Sequence, residues 1–184
     1  MDIASPQGGK APVDPKSEKD ATESTRAFLA NKDAMKKAQN TLPIAKVKEN
    51  YDAYFVVGGH GAMWDLATSV PTHTLLSKAY ARGAVVSAVC HGPAVLVGVK
   101  APDGKPIVDG KRVAAFSNAE EKAAGTESAM PFALETRLRE QGARYESGPD
   151  WGSFAVRDGK LVTGQNPGSS GATAREVLAA LREK

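Results

Sequence analysis

Residues 84–89, Ala-Val-Val-Ser-Ala-Val, carry no charge and run straight into Cys90-His91-Gly92-Pro93, and this segment narrows the possible folds most. A strand that is apolar on both faces needs cover on both, as in parallel sheets packed between helices. Residues 51–57, Tyr-Asp-Ala-Tyr-Phe-Val-Val, form a second such run, aromatic and β-branched, halted by Gly58-Gly59. They predict a buried strand ending in a tight turn. Between the two, residues 71–82 place Leu75, Leu76, Ala79 and Tyr80 on one face and meet Gly83, which predicts a helix with a glycine stop. Strand, helix, strand in this order predicts an α/β architecture with a mostly parallel sheet.

Elsewhere the signals are local. Residues 5–24 are rich in Ser, Pro, Gly, Lys and Asp and read as an irregular surface segment. Residues 25–39 space Phe28, Leu29, Ala34, Met35 and Ala38 as one or two short amphipathic helices would, with Asn31 or Asp33 as cap of the second. Residues 105–113 and 154–164 each contain Asp-Gly between apolar residues and read as hairpins. Residues 112–116 read as a strand, and residues 131–142 and 170–181 as amphipathic helices.

Composition excludes several classes. The chain has 184 residues, 41% hydrophobic and 24% charged, which suits a single globular domain over residues 1–184 with a sizeable core and excludes disorder. Lysine and arginine number 24 against 21 acids, a net +3, with no basic stripe to follow phosphates, so no nucleic-acid partner is expected. The longest charge-free run, residues 83–99, contains Gly92, Pro93 and Gly98 and falls short of the roughly 20 apolar residues of a membrane span. No signal-peptide pattern opens the sequence, and a single cysteine forbids an internal disulfide. A reducing, cytoplasmic setting without a membrane partner is the expectation.

Candidate chemistry gathers at the two glycine turns. Cys90 sits where an apolar strand gives way to Gly92-Pro93 and a helix, so its side chain is expected beyond the sheet's carboxyl edge, facing free N–H groups that favour a thiolate. His91 offers an adjacent base or imidazolium partner. Gly58, Gly59 and His60 form the other turn, whose backbone N–H groups are placed to hold an oxyanion. Glu120 and Glu121 are both candidates for the carboxylate that orients the histidine. His60, His73 and His91 with one cysteine give no zinc spacing, so neither metal nor cofactor is expected.

Taken together, Val56-Val57-Gly58-Gly59-His60-Gly61-Ala62-Met63-Trp64-Asp65-Leu66, Ala88-Val89-Cys90-His91-Gly92-Pro93-Ala94, Phe116-Ser117-Asn118-Ala119-Glu120-Glu121, Gly148-Pro149-Asp150-Trp151 and Thr163-Gly164-Gln165-Asn166-Pro167 resemble the ThiJ/PfpI superfamily, within it the chaperone and glyoxalase III branch. The resemblance implies a flavodoxin-like sandwich with Cys90 as nucleophile, His91 as general acid or base, Glu121 as orienting acid and Glu120 as the alternative. It further implies a lyase-type enzyme that turns a small reactive carbonyl, methylglyoxal, into D-lactate without glutathione, through a cysteine hemithioacetal whose oxygen meets the Gly59 N–H. Deglycase activity, a homodimer and a stress-related holding chaperone acting on unfolded client proteins are also implied. The alternative is a chaperone alone, or an inactive remnant.

The sequence departs from that pattern at its start. Members carry a strand and helix before the segment that begins here, and that helix supplies a glutamate to the nucleophile. The missing strand would lie between the one near Met1 and the one ending at Val57. Two exposed strand edges, an exposed core face and a true start upstream are therefore expected.

Overall fold

The computed structural model describes residues 1–13 and 21–183, so residues 14–20 of the segment read as irregular lie outside the described residues. The chain divides into two compact units, Met1–Lys48 and Glu49–Lys184.

In the first unit, strand β1 (Ala4–Ser5) pairs in parallel with β2 (Leu42–Pro43). Helices α1 (Glu23–Ala30) and α2 (Lys32–Gln39) show that the one or two short helices expected here are two. Thr22 caps the first through the Thr25 N–H, and Asn31 caps the second through the Ala34 N–H, as its position before the apolar run suggested.

The second unit is built on a four-stranded sheet in the order β3 (Ala53–Val56), β4 (Val85–Val89), β8 (Leu161–Gly164), β7 (Ala155–Asp158). The pairs β3 with β4 and β4 with β8 are parallel, and β7 is antiparallel to β8, so the sheet is mostly parallel. β4 is buried at every residue, as its unbroken apolar run requires. Helix α3 (Val70–Ala81) packs on β3 and β4, ending before Gly83 at φ 86°. Helix α6 (Ser170–Arg182) packs on β4, β7 and β8, where Val85, Val162, Val177 and Ala180 form a core cluster. Each large aliphatic side chain buried this way contributes about 1.5–3 kcal/mol. No helix among the described residues is long and apolar enough to cross a membrane.

Four expectations need correction. The burial expected of residues 51–57 is only partial: β3 stands at the edge of the sheet, and Tyr54 is buried whereas Phe55 is 38% and Val57 69% exposed. Among the described residues no strand pairs with its outer edge. The 154–164 hairpin forms as β7 and β8, but residues 105–113 do not make one. Ile107 and Val108 are buried in successive turns, and β5 (Arg112–Val113) pairs in parallel with β6 (Arg144–Tyr145) instead. The Asp-Gly signal was local, whereas β5 pairs with residues 32 positions further on. Finally, the helix expected over 131–142 is only α5 (Leu134–Glu140), and the strand expected over 112–116 is regular for two residues only.

Candidate active site

β4 delivers Cys90 to the carboxyl edge of the sheet with its backbone at φ 63°, one of two non-glycine residues in the left-handed region among those described. Such a conformation costs on the order of 1–3 kcal/mol and persists only where neighbours over-determine it. Here the Cys90 N–H donates to the Gly164 carbonyl at 3.0 Å, and the Cys90 carbonyl accepts from the Phe116 N–H at 3.0 Å. The two glycine turns meet at this point. A Cβ on Gly58 would lie 2.6 Å from the Cys90 Cβ and 2.7 Å from the Val89 carbonyl oxygen, so only glycine lets the first turn reach the sulfur.

The chain of contacts from the sulfur is continuous. Cys90 Sγ lies 3.4 Å from His91 Nδ1, and His91 Nε2 lies 2.7 Å from Glu121 Oε2. Glu121 comes from helix α4 (Asn118–Ala123), whose Ser117 cap and Glu120 form a reciprocal capping box. The other Glu121 oxygen accepts from the Thr126 hydroxyl. His91 is fully buried, its ring 4.3 Å from that of Phe116 and 4.2 Å from that of His60. His60 is half-exposed and brings Nε2 to 3.4 Å from Glu121 Oε1, so it joins the carboxylate rather than the sulfur.

Protonation states follow from burial first. Desolvation pushes the Cys90 thiol up to about 11, against hydrogen bonds from the Gly59 and His91 backbone N–H groups and with added repulsion from Glu120 and Glu121. The low-pKa thiolate expected from the following helix is therefore not the resting state. That helix is a six-residue 3₁₀ segment, Gly92–Val97, too short for an end charge to outweigh burial. Burial also lowers His91, more than Glu121 raises it, so the imidazole rests neutral. For Glu121 burial works upward, but hydrogen bonds from Thr126 and His91 prevail and hold it below the usual carboxylate range. Neutral thiol, neutral imidazole and carboxylate is the arrangement in which Nδ1 accepts from sulfur while Nε2–H donates to Glu121.

The other candidate acid points elsewhere. Glu120 is fully buried and accepts from the Ser117 and Trp151 N–H groups at 3.1 and 2.8 Å and from the Gln165 and Asn166 amides at 3.0 and 2.8 Å. It does not reach His91. Spacing alone could not separate the two adjacent acids, although the family resemblance named Glu121; Thr126 was missed, and Phe116, Gln165 and Asn166 stood in the quoted motifs without a role. Gln165 and Asn166 had a readable signal: they follow β8, which ends at the same sheet edge as Cys90.

His60, His91 and Glu121 bring three possible metal-ligand atoms within 4.8 Å. Ligand atoms around a tetrahedral zinc stand about 3.3 Å apart, whereas His91 and Glu121 are at hydrogen-bond distance, 2.7 Å. An ion would have to break the contact that orients His91. A cavity of about 80 Å3 lined by Phe116, Ser117, Glu121, Met130, Phe132 and Leu134 adjoins the carboxylate without including Cys90.

The family model that matches residues 25–180 is that of the DJ-1/PfpI family. The chain belongs to the DJ-1/PfpI family. Glyoxalase 3 of Candida albicans is 35% identical over 153 residues, covering 79% of this chain and 62% of that protein. The glutathione-independent glyoxalase HSP31 of Saccharomyces cerevisiae is 33% identical, covering 76% and 64%. The chain thus spans a little under two thirds of the length of these curated relatives. Among solved structures, the rapid encystment protein of 24 kDa from Francisella tularensis matches with TM-score 0.93 and 38% identity over 98% of this chain and 80% of that one. Glyoxalase III of Candida albicans matches with TM-score 0.82 and 29% identity over 89% and 72%. The α/β fold and the superfamily expected from the motifs are thereby confirmed for this DJ-1/PfpI chain.

Proposed function

We propose that the site is that of a glutathione-independent glyoxalase, which converts methylglyoxal to D-lactate. The observation that carries this reading is the unbroken line from Cys90 Sγ through His91 to Glu121, at the edge of a sheet and on a left-handed backbone. The names of the Candida and Saccharomyces relatives support the substrate class.

Chemistry begins from the neutral pair. As the sulfur bonds to the aldehyde carbon, its proton passes to His91 Nδ1, and Glu121 stabilises the imidazolium so formed. The carbonyl electron pair moves onto oxygen, beside the Gly59 and His91 N–H groups that already point at the sulfur. The oxygen takes the proton from His91, completing the hemithioacetal. His91 then removes the hydrogen of that carbon, giving an enediolate; the hydroxyl proton on the same carbon moves to the former ketone oxygen, and His91 returns the proton it took to the neighbouring carbon. The aldehyde carbon is thereby oxidised to a thioester and the ketone reduced to an alcohol, so no outside oxidant is required. Water cleaves the carbon–sulfur bond, releasing lactate and restoring the thiol.

The test is D-lactate formation from methylglyoxal without glutathione, compared with Cys90→Ala. The expected loss is about 1,000-fold or more, the scale on which nucleophile deletions act. A folded wild type that makes no lactate, or a Cys90→Ala variant at full rate, overturns the reading.

A further inference from the structure

Helix α4 presents two buried carboxylates, and the mechanism uses only one. Glu120 is instead the centre of a clamp on residues 148–152. Its Oε1 accepts from the Trp151 N–H at 2.8 Å and from the side chains of Gln165 and Asn166. Gln165 in turn accepts from the Gly148 N–H at 2.8 Å, and Asn166 donates to the Gly152 carbonyl at 2.7 Å. All three clamping side chains are completely buried.

What this clamp holds is unusual in two ways. Trp151 has φ 61°, a left-handed conformation that a bulky residue adopts only under constraint. The residue nevertheless stays 51% exposed, so the constraint does not bury it. The indole packs edge-on against Phe116 at 5.6 Å, and Phe116 stacks on His91 and forms a cluster with Val89 and Cys90. A buried polar network that holds a left-handed backbone so that an exposed aromatic ring lies against Phe116, the ring that itself stacks on the catalytic imidazole, is a device for placing that ring.

We propose that Trp151 is the wall that limits the size of the carbonyl substrate reaching Cys90, and that Glu120 is the positioning residue that holds it there. The inference rests on the glyoxalase reading for its substrate class. A 2-oxoaldehyde with a methyl substituent passes the indole, and one with an aryl substituent meets it.

The experiment compares kcat/KM for phenylglyoxal and methylglyoxal in the wild type, Trp151→Ala, Trp151→Phe and Glu120→Gln. A ratio of two substrates on one preparation cancels any loss of folded protein. Trp151→Ala is expected to raise the phenylglyoxal to methylglyoxal ratio at least fivefold, Trp151→Phe to leave it within twofold, and Glu120→Gln to raise it in the same direction. Alkylation of Cys90 by iodoacetamide and by N-phenylmaleimide supplies a readout that needs no turnover, and Trp151→Ala should favour the bulkier reagent by a similar factor. A wild type that turns over neither aldehyde sinks the glyoxalase reading, and the alkylation ratio then decides the wall by itself. An unchanged or lowered ratio for Trp151→Ala overturns the proposal.

Discussion

Glu120 and Glu121 are neighbours on one short helix, both buried and both held below the usual carboxylate range, yet the two sides of that helix do opposite work. On Glu120, burial works upward but is outweighed by the donors of Asn166, Trp151, Ser117 and Gln165, all fixed parts of the scaffold. Glu121 shares its oxygens with groups that have somewhere else to go: a histidine that must take and return a proton, a threonine hydroxyl and the half-exposed His60. The difference teaches that ionisation and burial do not mark a catalytic acid. The mobility of its partners' protons does.

The sharpest way to break this contrast is Glu121→Gln, which should lower turnover about 1,000-fold with little change in unfolding midpoint, since it removes charge but keeps shape. Gly58→Ala should cost about 100-fold in turnover, because its Cβ would sit 2.6 Å from that of Cys90 and displace the sulfur. Glu120→Ala should behave in the opposite sense to Glu121→Gln, destabilising the fold by on the order of 3 kcal/mol as buried donors lose their acceptor. Urea unfolding monitored by circular dichroism separates the two. If Glu121→Gln unfolds the protein and Glu120→Ala silences it without loss of stability, the division of labour is reversed.

Two pH measurements read the thiol and the carboxylates separately. With the Cys90 thiol at about 11, its alkylation by iodoacetamide should climb about tenfold per pH unit from neutrality upward. A plateau by about pH 8.5 would mean that the thiolate, not the thiol, is the resting form. The smallest effect concerns acid. Both glutamates are lowered from 4.5, so the unfolded chain binds protons first as pH falls. Their contribution to stability is complete above about pH 4.5 and fades as pH drops through the lower folded values. Glu120→Gln should flatten that decline in urea midpoints, and an undiminished slope counts against an ionised Glu120.

Much of the scaffold was readable because its signals are local. The apolar run 84–89, the Gly83 stop, the Asn31 cap and the hairpin around Asp158-Gly159 all formed. Misreadings arose where a distant segment decided the outcome. Ile107 and Val108 turn inward because β5 finds its partner at Arg144–Tyr145. The thiol's acidity was misjudged for a related reason: a helix end is visible in sequence, whereas desolvation by Gly58, Val89 and Phe116 around the sulfur is not. Choosing between Glu120 and Glu121 depends on the rotation of one residue along a helix whose start Ser117 fixes, and single-residue boundaries are the least legible feature of any sequence.

The elevated thiol has a consequence for the life of the polypeptide before it is complete. In an unfolded chain Cys90 is an ordinary thiol near 9, whereas in the finished fold it stands near 11. Folding therefore insulates the sulfur from indiscriminate electrophiles. At neutral pH the folded chain holds less of its sulfur as thiolate than the unfolded chain does. By this measure the native state slows alkylation and oxidation of its own nucleophile about as much as it lowers the thiolate fraction.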